Sequence, residues 1–70
     1  MSYDEFVREV DRTSQSFNWR YGQTLMNVLH GVWPEKYAEI INLELDCYYN
    51  EDIVPATLKF LKLDWKPTNG

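Results

Sequence analysis

The stretch Trp19–Trp33, WRYGQTLMNVLHGVW, constrains the fold more than any other part of the chain. Tyr21, Leu25, Val28, Leu29 and Val32 recur at the spacing of an apolar stripe on one helical face, and Met26 widens it. Asn18 fits as the N-cap of this helix. Gly31 is placed to end it in a left-handed cap, and Pro34 prevents its continuation. Gly22 is the odd residue, because in a first helical turn it costs up to ~1 kcal/mol relative to Ala. Its presence predicts the close approach of another backbone, or of a partner.

The flanking segments read as shorter helices. Ser2-Tyr3-Asp4-Glu5 matches the capping box, with Ser at the N-cap and Glu at N3. Behind it Tyr3, Phe6, Val7 and Val10 share a face, opposite a charged face of Asp4, Glu5, Arg8, Glu9, Asp11 and Arg12. Thr13-Ser14-Gln15-Ser16 dilutes the pattern, which predicts an end near Ser14. Pro34 and Glu35 suit the start of a third helix, with Tyr37, Ala38, Ile40, Ile41 and Leu45 as its buried stripe. Asn42 to Asn50, NLELDCYYN, reads as a frayed helix end and an ordered loop, since Leu43–Leu45 has no partner strand. Asp52 fits as the cap of a last helix whose inner face carries Val54, Leu58, Leu61 and Trp65. Lys59, Lys62 and Lys66 form its outer stripe, best read as dipole complement and solubility. The expected fold is all-α, a compact orthogonal bundle of about four short helices in a single domain over residues 1–66, with 67–70 as a tail.

Such a chain must build its core from apolar side chains alone. Its 70 residues include one cysteine and one histidine, too few for an internal disulfide or a four-ligand zinc site. The 44% of hydrophobic residues, with three Trp, five Tyr and three Phe, supply a core without staples. The lone thiol, without a hydrophobic leader after Met1, points to a reducing cytoplasm. No run reaches the ~18 apolar residues of a membrane span. A net charge of −4 with interspersed signs argues against nucleic acid as a partner.

Chemistry-bearing constellations are sparse. A Cys47/His30 nucleophile–base pair is conceivable in composition, but no sequence context supplies a third, orienting group. Asp46, Glu51 and Asp52 have the flanks of helix caps. There is no glycine-rich phosphate loop and no metal-ligand spacing. The expectation is therefore no enzyme, no cofactor and no small-molecule substrate.

The polar side of the central helix carries more. Arg20, Gln23, Thr24 and Asn27 occupy neighbouring turns, continued by His30. In one reading Arg20 pairs with Asp46 or Asp52 while Gln23 and Asn27 bond loop backbone, stitching NLELDCYYN to the helix. In the other, Arg20, Tyr21, Gln23, Asn27, Tyr48 and Tyr49 form a contact surface for another protein, since Tyr, Trp and Arg most often anchor interfaces. An exposed Trp19, Trp33 or Trp65 would favour the second.

Arg20-Tyr21-Gly22-Gln23-Thr24-Leu25-Met26-Asn27 resembles the R-x-G-Q-x-L-x-N pattern of small, largely helical proteins of bacteria and their phages. An acidic and aromatic stretch follows at a distance in those proteins, here Asp46 to Asp52 with Ile53 and Val54 after it. The resemblance spans Arg20 to about Leu61. It implies a helical fold and a role shared between Arg20, Gly22, Gln23, Asn27 and the 46–52 loop, and it brings no expectation about activity. Two functions fit: a non-enzymatic protein-interaction module, in one version phage-encoded and acting on a host protein, or a self-assembling homo-oligomeric subunit that spends its aromatic surplus on its own copies.

Overall fold

The computed structural model describes residues 1–66; the expected tail, 67–70, lies outside the described residues. The chain folds into the all-α arrangement its periodicities predict. Helix α1 spans Tyr3–Phe17, α2 Tyr21–Val32, α3 Pro34–Asn42 and α4 Val54–Leu63, with a single 3₁₀ turn at Glu51–Ile53 leading into α4. Leu43–Leu45 forms no strand: the chain turns there, with Glu44 in the left-handed region at φ 61°.

The capping box forms as its residues dictate. Glu5 N–H donates to the Ser2 hydroxyl at 3.1 Å, and Ser2 N–H to the Glu5 carboxylate at 2.7 Å. Those bonds to Ser2, backbone first, hold the Glu5 carboxyl below its ordinary pKa. Helix α1 runs a turn beyond the expected end, because Asn18 rather than a glycine takes the left-handed C-cap at φ 57°. Asn18 therefore closes α1 instead of opening α2. Ser14, which seemed only to dilute the pattern, seals this end: its hydroxyl donates to the Trp19 carbonyl at 2.8 Å, and its carbonyl accepts the Trp19 N–H at 3.1 Å.

Arg20 takes the N-cap of α2 without a side-chain capping bond. Gly31 lies inside that helix, whose C-cap is Trp33 (φ −149°, ψ 75°), also the N-cap of α3. Pro34 opens α3 as expected, since its missing N–H has no intrahelical role there. Asn50, not Asp52, caps the 3₁₀ turn before α4, accepting the Asp52 N–H at 3.1 Å.

The core consists of Phe6 and Val10 from α1, Leu25, Met26 and Leu29 from α2, Ile40 from α3, Cys47 from the loop and Leu61 from α4. The buried face of α2 is rotated toward Gly22, Thr24 and Met26, leaving Val28 and Val32 half-buried. Thr24 and Thr57 can be fully buried because each hydroxyl bonds a carbonyl one turn back, Arg20 at 2.9 Å and Ile53 at 3.1 Å. Helix α3 departs most from its expected stripe. Ala38 and Ile41 face outward, and Lys36 is buried in their stead, 4% exposed.

Candidate functional site

The start of α2 and the 43–50 loop are joined by a set of short polar contacts. A carbonyl closes in first: a Cβ on Gly22 would overlap the Cys47 carbonyl oxygen and sit 2.5 Å from a Glu51 carboxylate oxygen. Glycine is thus required by the close approach of the loop backbone. The same Glu51 oxygen accepts the Gly22 N–H at 2.7 Å. It supplies the capping acceptor that Arg20 lacks, and its negative charge lies at the positive end of the helix.

Three further contacts extend the junction. The Arg20 guanidinium donates to the Tyr48 carbonyl at 2.9 Å, rather than pairing with Asp46 or Asp52. The Gln23 amide donates to the Tyr48 hydroxyl at 3.3 Å. The Cys47 thiol points at the Gly22 carbonyl, 3.7 Å away. The loop is also braced internally: the Tyr48 N–H donates to the Asp46 carboxylate at 2.9 Å, and the Asn50 N–H to the Cys47 carbonyl at 3.3 Å. The Thr57 hydroxyl donates to the Leu45 carbonyl at 2.7 Å and ties the loop to α4.

Of the six residues singled out in the sequence, four converge here. Arg20, Gln23 and Tyr48 form the stitch, and Tyr49 stands outside it. The Tyr49 ring is 87% exposed, packed at 62° against Tyr48 with centroids 4.7 Å apart. The Arg20 carbon Cζ lies 5.9 Å from its centroid, a cation–π separation. Tyr21 turns inward against the core, where burial, followed by the Asp11 carboxylate, pushes its hydroxyl up to about 12. Asn27 lies exposed and, among the described residues, takes no part in the loop's hydrogen bonds.

Cys47 and His30 are not brought together. Cys47 meets α2 at Gly22, eight residues before His30, about 12 Å along the helix axis. Burial pushes the Cys47 thiol up, away from the thiolate a nucleophile needs. His30 instead packs edge-on against Tyr37 with centroids 4.6 Å apart. A depression of about 690 Å³ lies elsewhere: an open trough along the charged face of α1, lined by Glu5, Arg8, Glu9 and Arg12 among others. Glu9 and Arg12 pair with each other there, so the trough presents a solvated helix face rather than converging polar groups.

The remaining aromatic ring contacts fall in two groups. Tyr3, Phe6, Trp33 and Trp65 cluster around the end of α4. Trp19 stacks on Phe17, centroids 4.8 Å apart at 20°, and Phe17 remains 61% exposed at the corner that leads into Arg20.

Fold and junction define a class: a small all-α domain with a polar-stitched loop that presents a tyrosine. No protein-family model, no curated protein and no solved structure matches the chain. Sequence reasoning missed Lys36, which joins α3 to the end of α4. Its ammonium bonds Glu39 at 2.6 Å and Asp64 at 2.5 Å, between the rings of Trp33 and Phe60 at 4.9 and 5.0 Å. No spacing signals such a site, because a lysine in the first turn of a helix reads as solvent-facing.

Proposed function

We propose that this chain is a non-enzymatic protein-interaction domain, acting in the cytoplasm through a face centred on Tyr49 and Arg20. The observation that carries the reading is the exposure of Tyr49 on a loop whose backbone is pinned at Tyr48 and Asn50 and whose Glu51 carboxylate is bonded to Gly22. An aromatic side chain held out from a braced loop gives up little conformational freedom on binding, which is what an interface anchor requires. The Phe17–Trp19 pair, next to Arg20 in the chain, adds aromatic surface at the end of α1. Among the described residues no helix is long and apolar enough to cross a membrane.

Arg20 and Tyr48 make the stitch, so their loss confounds folding with binding. Tyr49→Ala removes an exposed ring and leaves the stitch intact. Capture of partners from a cell lysate, read by mass spectrometry, is expected to recover a protein with the wild type and lose it with Tyr49→Ala. Recovery of the same protein by both would remove the surface from consideration. A homo-oligomeric subunit is the second reading, favoured by the outward Ile41 and Leu43 at the end of α3 and by Leu63, 79% exposed, at the end of α4. Light scattering decides it, since a strict monomer at high concentration ends that reading.

A further inference from the structure

The described residues after α4, Asp64 to Lys66, are attached to the molecule almost entirely by side chains. The Asp64 N–H donates to the Leu61 carbonyl at 3.3 Å, a long bond at a helix end. From there, Asp64 pairs with Lys36 of α3. The Trp65 ring lies on Phe6 of α1, centroids 4.8 Å apart, and meets Tyr3 at 6.0 Å and Trp33 at 5.2 Å. Its indole N–H donates to the Met1 carbonyl at 3.0 Å.

Helix α4 is anchored by other means. Leu61 is fully buried, the Thr57 hydroxyl bonds the loop carbonyl of Leu45, and the Tyr3 hydroxyl reaches the Leu58 carbonyl at 3.5 Å. Tyr3 and Lys36 touch both, but Leu61 and Thr57 fasten the helix alone and the Trp65 indole bond to Met1 fastens the segment alone. A segment without a backbone ladder belongs to the part of a fold that opens at the lowest free energy.

We infer that Asp64 and Trp65 form a strap, latched by Lys36, that lifts from α1 and α3 as a unit while the helical core stays folded. Lifting uncovers an aromatic face made by Tyr3, Phe6 and Trp33. The latch has two carboxylates, and this makes the motion feasible. When Asp64 leaves, Glu39 keeps its bond to the Lys36 ammonium, so no bare charge remains among the rings. With the strap closed, Phe6 is inaccessible to solvent; the strap is a lid on that face.

The test is hydrogen exchange by NMR on the full chain, comparing the Trp65 indole N–H with the backbone N–H groups of Leu25 and Leu29. Asp64→Asn removes the charged half of the latch at an exposed position. The indole is expected to exchange about tenfold faster, with the α2 amides unchanged. Equal acceleration of all three would show that the strap unfolds only with the core, and an unaltered indole would show that Lys36 does not latch it. The unmodified chain gives a second reading. In low denaturant the indole is expected to open with a weaker denaturant dependence than the α2 amides, and an equal dependence would overturn the inference.

Discussion

The two polar junctions of this fold, the stitch at the start of α2 and the lysine latch at the start of α3, are built on opposite principles. At the stitch, backbone meets backbone at one point: the Cys47 carbonyl approaches Gly22 so closely that the space admits no methyl group. At the latch, one long side chain spans from α3 to the end of α4, cushioned by Trp33 and Phe60 and shared by two carboxylates. The first has no slack at Gly22, where a backbone carbonyl packs on backbone, and the Arg20, Gln23 and Glu51 side chains close around that point. The second adapts, since a lysine stem has several rotatable bonds and its head can exchange one carboxylate for the other. Rigidity lies where the chain presents Tyr49, and adaptability lies under the strap.

The sharpest way to break that contrast is to add one methyl group. Gly22→Ala gains up to ~1 kcal/mol of helix propensity. It also drives a Cβ into the Cys47 carbonyl and displaces the Glu51 carboxylate, against overpacking and hydrogen-bond losses of about 1–3 kcal/mol each. The clash wins because a backbone atom cannot rotate away. A net loss of about 2–3 kcal/mol is expected, read as a lower urea midpoint at unchanged m-value. A midpoint equal to the wild type's would mean that the loop moves aside freely and that the stitch is no more rigid than the latch.

The same contrast explains which parts of the fold were legible in the sequence. The stitch leaves a mark because close backbone approach demands glycine, and a glycine in a first helical turn is conspicuous by its cost. Gly22 thus predicted the close approach of a backbone or of a partner, and the structure supplies the Cys47 carbonyl. The helix count followed from periodicity, and α1's start from Ser2 and Glu5. Helix ends were less legible. Asn18 fits an N-cap and a left-handed C-cap equally well, and only the tertiary position of Trp19 decides between them. Lys36 and Thr57 were invisible as core residues because their burial depends on partners 28 and 12 residues away. Arg20's partner was misjudged for a related reason: a carboxylate is the default mate of a guanidinium, yet the loop offers it a carbonyl.

The latch sharpens the contrast from the other side. Lys36→Met keeps an unbranched stem of similar volume between Trp33 and Phe60 and removes the charge. Glu39 and Asp64 are both substantially exposed and return to water. Replacing an ion pair by a well-packed apolar residue is often neutral, so a change within about 1 kcal/mol is expected. Urea unfolding measures it. A loss as large as that of Gly22→Ala would place the energy of this junction in its charges and not in its packing.

The smallest effect expected is that of pH, and its sign follows from the shifted groups. The hydrogen bond from Lys36, and then its charge, hold the Asp64 carboxyl below its ordinary value. Its contribution is present above the ordinary Asp value of about 3.9 and lost as pH falls through the lower folded value. Burial works against the Lys36 charge, but its bonds to Asp64 and Glu39 outweigh that and raise it, so its contribution holds up to about 10.4 and is lost above. Between these limits the latch is indifferent to pH. The stitch is not, because burial raises the Cys47 thiol: its contribution is present below the ordinary value of about 8.5 and declines as pH climbs through the higher folded one. Stability should therefore be flat from about pH 5 to 8 and begin to fall near 8.5 at the stitch alone. Cys47→Ala should move that onset to about pH 10, where Tyr21 and Tyr3, both raised by burial in the fold, and then Lys36 begin to titrate in the unfolded chain. Urea midpoints collected across this range decide the matter, and an onset unmoved by Cys47→Ala would take the alkaline sensitivity away from the stitch.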